Sequence, residues 1–399
     1  MPTLEGDIIS RFLLGTTLLV ALGACQTNPQ QEPQSSQTSQ RGIPEVRPRT
    51  IETQLQALLD HFLTAHTDVP GVSLHVEAPR LSLSWSGAAG VADRTSGARL
   101  TSANPFRIAS ITKTYTAAAT LRLVEDGKLT LDDPIARHLP SEFVETLAAG
   151  DYDSQVITIR HLLTHTGGLY DYATDAMFHH AVGLQPNKRW TRLEQVRFAV
   201  DHGRPYGRPG ETFHYADTGY LLLGEIIERK AFLALGVAFR QLLNYDALGL
   251  TSTWLETVEL APSGVANRAH QYLGDTDTYT WDPSFDLFGG GGLVATARDL
   301  TRFQRGLFTG KVYRKPETLE VMLSTVVAPD QGMYRVGIFF FDVDGVQGWG
   351  HKGSWNTWSY YFPALDVAIA GAILQQNVNP GDLLKNVFET IKDAAAENN

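Results

Sequence analysis

Strand-type sequence stands at both ends of this chain, and helix-type sequence fills the long interval between them. Residues 72–76 and 81–85 alternate apolar and polar side chains, with Pro79 breaking the run. β-type sequence returns near the far end, at residues 336–341, 358–362 and 367–374, spaced as antiparallel neighbours. The simplest architecture is α/β of the α+β type. One antiparallel sheet is built from both chain ends, helices flank it, and a mainly helical lobe (about residues 129–292) is inserted. A cleft between sheet and lobe is the natural site.

The predicted helices follow from spacing and caps. Ile51, Leu55, Leu58, Leu59 and Phe62 recur at helical intervals. A helix runs from Ser110 to about Asp126, where Gly127 closes it. Thr296 to Asp299 forms a capping box that opens a helix toward Phe303 and Leu307. A last amphipathic helix, with Leu383, Leu384, Val387, Phe388 and Ile391, covers one sheet face. The glycine run at residues 289–292 is expected to be a mobile edge of the cleft.

The first fifty residues have a different character. An apolar run from Phe12 to Leu22 is shorter than the roughly 20 residues of a membrane-spanning helix and fits the core of an export signal. It ends at Cys25, the one cysteine of the chain. Leu22-Gly23-Ala24-Cys25 resembles a bacterial lipobox, so residues 1–25 are expected to be a lipoprotein signal, with Cys25 lipidated. Glu5 and Asp7, which precede Arg11, depart from the usual basic start. Residues 26–50, rich in Gln, Ser, Thr and Pro, form a disordered tether. The expected location is the cell envelope, on an extracytoplasmic membrane face. A net charge of -10 without a basic run argues against a nucleic-acid partner.

The chemistry concentrates in a few residues. Ser110 and Lys113 are three apart at a helix start, so their side chains share a face. A lysine beside a serine can take the hydroxyl proton and make a nucleophile. Tyr215 and Asp217 follow a Pro-Gly turn, and a phenol near an ammonium is stabilised as phenolate. In His351-Lys352-Gly353-Ser354, a strand turns His351 and Gly353 to one side. Gly353 would admit a substrate backbone, and a neighbouring amide could point at an oxyanion.

Together these motifs resemble the serine β-lactamase and penicillin-binding superfamily. The branch holding class C β-lactamases, D-alanyl-D-alanine carboxypeptidases and related esterases is the nearest in pattern. The likeness runs from residue 51 to about 396 and includes the segments at residues 159–169, 219–224 and 291–296. It implies that Ser110 is the acylated nucleophile, that Lys113 helps remove its proton, and that Tyr215 is the shared base and acid. The backbone N–H groups of Ser110 and Ser354 would form the oxyanion hole, with Asp217, His351 and Gly353 binding substrate. No metal or organic cofactor is implied. The partner is a small-molecule or peptidoglycan-type substrate, and the membrane is reached through the lipid on Cys25.

Two departures bear on substrate. Asp217 stands where the branch often has Asn; an ionised Asp cannot donate to an acylamide carbonyl and holds Lys113 charged. His351 replaces the lysine of lactamases and is a weaker anchor for a carboxylate. The expected function is acylation of Ser110 by an ester or D-Ala-type amide, then hydrolysis, with weak β-lactamase activity at most. The alternative is a non-catalytic protein that senses peptidoglycan or β-lactams. His161 and His165 have metal-ligand spacing but lack the following Glu, and Asp275, Asp277 and Asp286 fail the calcium-loop pattern.

Overall fold

The computed structural model describes residues 50–325 and 333–397. Residues 1–49, with the predicted signal, Cys25 and nearly all of the predicted tether, lie outside the described residues.

Helix α1 (Ile51–Ala65) leads into the strands β1 (Gly71–Ala78) and β2 (Leu83–Gly90). Pro79 lacks an N–H for the ladder, and a 3₁₀ turn over Pro79–Leu81 separates the two strands. After the short β3 (Phe106–Arg107) comes α2 (Thr112–Glu125). The middle of the chain carries α3 (Ser141–Ala149), α4 (Ile159–Leu163), α5 (Ala176–Leu184), α6 (Arg192–His202), α7 (Asp217–Ala231), α8 (Leu235–Leu242) and α9 (Tyr245–Leu248). It also contains strands that its helical pattern hid: β4 (Trp254–Leu255), β5 (Tyr272–Leu273), β6 (Thr276–Asp277) and β7 (Leu293–Ala295). The chain continues through α10 (Ala297–Phe308) and α11 (Pro316–Leu323). It then adds β8 (Phe339–Val343), β9 (Val346–Gly353), β10 (Thr357–Phe362) and β11 (Val367–Ile373), and closes with α12 (Gly381–Glu397).

The main sheet has the order β2-β1-β11-β10-β9-β8, antiparallel throughout, so strands from the two chain ends meet where β1 pairs β11. Every residue of β11 is buried, because the sheet is covered on both faces. On one face, α1 and α12 pack Leu55, Leu59, Leu383, Val387, Phe388 and Ile391 against Leu74, Trp358 and Ile369. At roughly 1.5–3 kcal/mol per buried side chain, this apolar stripe holds both helices to the sheet. On the other face, Leu300, Phe303 and Leu307 of α10 meet Ala370 and Ala372. A second sheet, β3-β7-β4, joins the stretch before Ser110 to the glycine run.

Two local expectations shift. The run at residues 336–341 does not start a strand at Val336, because Gly337 turns the chain at φ 73° and β8 begins at Phe339. A Cβ at Gly337 would lie 2.2 Å from the Ala117 Cβ, so only glycine lets this turn press against α2. At α10, Thr296 accepts from the Asp299 N–H as a cap should. The reciprocal half of the box is missing, because the Asp299 carboxylate instead accepts from Ser252 N (2.7 Å) and Thr253 Oγ1 (2.9 Å).

Candidate active site

Ser110 lies in a 3₁₀ turn, Ala109–Ile111, that runs directly into α2. Where the turn passes into α2, side chains three apart share a face, which sets Lys113 over Ser110. Lys113 Nζ donates to Ser110 Oγ at 2.9 Å. Ala109, just before the serine, is held at φ 46°. A left-handed alanine costs on the order of 1–2 kcal/mol and persists only where its surroundings fix it. Here Ile108 N donates to Leu293 O (3.0 Å), and Ile108 O accepts from Thr357 Oγ1 (3.1 Å).

Lys113 has no exposed surface, and a buried ammonium needs partners. It donates to Gly290 O at 2.9 Å and pairs with Asp217 Oδ1 at 2.6 Å. Burial alone would push the amine down, but Asp217 outweighs it and the lysine stays charged. Two further acids approach the pair. Asp171 Oδ1 accepts from Asp217 N at 3.0 Å, and burial followed by Asp217 pushes the Asp171 carboxyl up to about 7. Asp286 is pushed up to about 7 by the same two causes. The glycine run, expected at an edge of the cleft, is buried at residues 289–292, and its Gly290 carbonyl holds Lys113. A Cβ on Gly291 would lie 2.2 Å from Asp286 Oδ1, so bare backbone is needed beside that acid.

Tyr215 stands two residues before α7, with its ring centroid 5.1 Å from Lys113 Nζ. Burial raises this phenol well above its usual range, more than Lys113 lowers it. The expected phenolate is therefore replaced by a neutral tyrosine, because Asp217 already balances the ammonium. Behind the ring lies His165, tilted at 4.1 Å between centroids. Its Nδ1 accepts from Ala216 N at 3.1 Å, and burial then Lys113 keep the imidazole neutral. His161 does separate work: its Nδ1 accepts from Thr158 N and completes the capping box of α4.

The β8–β9 ladder ends at the Phe339–Gly350 pair, so it stops short of His351 and Gly353. His351 is buried against Phe339, Tyr334 and Tyr215, with Nδ1 2.6 Å from Lys352 O. Burial, then Lys113, push its imidazole down to about 3, so it carries no charge for an anionic substrate. Gly353 was expected to make room for substrate, but its neighbour is the protein itself. A Cβ there would lie 2.2 Å from Ile108 O and 2.3 Å from Thr357 Oγ1. The glycine lets β9 close on the Ser110 turn. Ser354 follows in an exposed turn, its carbonyl accepting from Gln376 Nε2 at 2.8 Å.

The fold thus gathers Ser110, Lys113, Tyr215 and Asp217 at one point, with His351 and Gly353 alongside. The sequence matches the family described as Beta-lactamase over residues 53–391. The chain belongs to the beta-lactamase family. Over 232 residues this beta-lactamase-family chain is 28% identical to penicillin-binding protein 4* of Bacillus subtilis (strain 168), covering 55% of this chain and 48% of that protein. A 120-residue stretch is 40% identical to esterase EstB of Burkholderia gladioli, covering 30% of this chain and 29% of the esterase. These matches span about half the length, or less, of the curated relatives. D-amino acid amidase from Ochrobactrum anthropi SV3, solved with L-phenylalanine amide, superposes with a TM-score of 0.72 at 25% identity, over 86% of this chain and 99% of the amidase.

Asp171, Asp286, Gly290 and His165 were not found as site residues from the sequence. No motif marks the two acids, which reach Lys113 only through tertiary folding. The one available signal for Gly290 was the density of glycines around it.

Proposed function

We propose that this beta-lactamase-family protein is a serine hydrolase that forms an acyl-enzyme on Ser110 and releases it to water. The observation that carries the reading is the Lys113 Nζ to Ser110 Oγ contact of 2.9 Å, with the Tyr215 ring beside the same ammonium at 5.1 Å. Lys113 is charged and Tyr215 neutral, so the proton path is a relay. Ser110 Oγ attacks the carbonyl carbon, and its proton passes to the Tyr215 oxygen. The proton already on Tyr215 passes to the leaving nitrogen or oxygen as the carbon–heteroatom bond breaks. Water then follows the same path in reverse order, attacking the ester carbon and restoring Ser110. Lys113 and Asp217 remain an ion pair, whose fixed positive end stabilises the charge that develops on Oγ. The N–H groups of Ser110 and Ser354 are assigned to the oxyanion.

Ester and D-amino-acid-type amide substrates fit best, in line with the esterase and amidase among its relatives. Turnover of β-lactams is expected to be weak. An Asp217 carboxylate paired to Lys113 gives no donor to an acylamide carbonyl, and neutral His351 does not anchor a carboxylate. A fluorophosphonate probe should label wild type and not Ser110→Ala, and p-nitrophenyl esters should turn over in the same order. Equal labelling of the two proteins refutes the reading.

The envelope location belongs to the same proposal: Cys25 carries a lipid anchor. Its support is the position of the lone cysteine at the end of an apolar run. Among the described residues no helix is long and apolar enough to cross a membrane. Cys25→Ala should move the protein from the membrane fraction to the soluble one; retention on the membrane counts against the anchor.

A further inference from the structure

A narrow crevice is lined by Arg107, Glu256, Phe285, Asp286, Gly292 and Trp355. Its walls come from the segments that hold the site together. Arg107 precedes the Ser110 turn, Trp355 follows Ser354, and Gly292 ends the glycine run whose Gly290 carbonyl receives Lys113. At its centre the crevice admits a group about the size of one water molecule.

Most of the charge in this crevice is committed. Arg107 gives Nε to Glu256 Oε2 (2.7 Å), Nη1 to Thr278 O (3.1 Å) and Nη2 to Trp281 O (2.7 Å). Glu256 also faces Arg268 at 3.3 Å. Asp286 differs: its carboxylate makes no hydrogen bond or ion pair with any described residue. It stands next to Phe285, whose ring is set edge-on to Trp355 at 6.3 Å. A carboxylate in a crevice that two aromatic rings also line offers a cation both an ion pair and π faces. An ammonium group has the size the crevice accepts. An acid with no hydrogen-bonding partner is costly to keep in such a place, and burial, then Asp217, raise its carboxyl to about 7. Gly291 is part of the same design, since any side chain there would strike the Asp286 oxygen.

We propose that Asp286, with Phe285 and Trp355, binds the ammonium group of the substrate's acyl part, so that the enzyme selects amino-acid esters and amides with a free amine. The inference rests on the serine-hydrolase reading and narrows its substrate. It places no new group in the chemical step: Asp286 sets specificity, and Ser110, Lys113 and Tyr215 carry out the reaction.

The test uses the full protein and two matched esters at pH 7. One is the p-nitrophenyl ester of phenylalanine, as each enantiomer. The other is the p-nitrophenyl ester of 3-phenylpropionic acid, which differs only in lacking the amine. The readout is the ratio of their kcat/KM values. Wild type should favour the amine by about tenfold or more, the size expected of one charge-assisted hydrogen bond. Asp286→Asn should lose most of that ratio through KM, and Asp286→Glu should recover part of it. A wild-type ratio at or below one, or a ratio that Asp286→Asn leaves unchanged, overturns the proposal. Binding is read separately by calorimetry, with phenylalanine amide and N-acetylphenylalanine amide on Ser110→Ala and on Ser110→Ala/Asp286→Asn. Binding of the free amine that depends on Asp286 supports the proposal even if no ester is hydrolysed, and equal binding to both proteins overturns it. Hydrolysis that survives Ser110→Ala refutes the catalytic reading and leaves the binding result to decide this one.

Discussion

Replacing Asp217 by Asn keeps the side-chain shape and removes the charge facing Lys113 at 2.6 Å. At that distance two unit charges attract by ~6 kcal/mol at an effective dielectric of 20. The full amount will not appear as lost stability, because the lysine has another way out. Lys113 is wholly buried, and Asp217 is the largest of the groups that offset the burial driving its proton off. Giving up that proton at pH 7 costs ~4.6 kcal/mol relative to an unfolded-state pKa near 10.4, which caps the penalty. At pH 9 the same cap falls to ~2 kcal/mol. The signs are opposite in the two proteins. In wild type the folded-state pKa is raised, so the contribution of Lys113 is fully present below about 10.4 and fades only above it. In Asp217→Asn it is depressed, so the variant loses stability as pH falls below about 10.4. Thermal denaturation of both proteins at pH 7 and pH 9 reads this directly. The melting gap should be several degrees at pH 7 and about half as large at pH 9. A gap that is absent, or equal at both pH values, would show that Asp217 does not hold Lys113 in its charged form.

Three other outcomes follow from the same geometry. Gly353→Ala forces a methyl group against Ile108 O and Thr357 Oγ1 and should destabilise by about 1–3 kcal/mol; because the clash moves the Ser110 turn, kcat should fall at least tenfold in the ester assay. The His351 imidazole, pushed down to about 3, should show no NMR titration between pH 5 and pH 8, and a mid-range titration would refute its burial as a neutral ring. Asp286→Asn should melt higher than wild type at pH 8 and lose that advantage by pH 5. The raised carboxyl keeps a proton in the folded state between about pH 4 and pH 7, so its ionisation above that window works against folding.

The parts of this protein legible in the sequence are those written in local pattern. Alternation marked the strands at the two ends, and the three-residue step from Ser110 to Lys113 survived because the 3₁₀ turn passes into α2 with that facing kept. What was hidden depends on contacts distant along the chain. Tyr215 was found, but its charge state was not, because that depends on how completely Asp217 and burial occupy Lys113. Gly353 and the glycines at 289–292 suggested openness for a ligand or for motion. In the folded chain they serve close packing, since the atoms a Cβ would strike belong to Ile108, Thr357, Tyr220, Asp286 and Leu287. Asp286 is an ordinary aspartate in the sequence, and its isolation exists only once Arg107 and Glu256 have paired.

The Ser110 turn is sutured to remote parts of the polypeptide: Leu293 through Ile108 N, Thr357 through Ile108 O, and Gly290 through Lys113. A ribosome-bound chain still lacking its last strands therefore has the serine and its Leu293 and Gly290 stitches but not the Thr357 one.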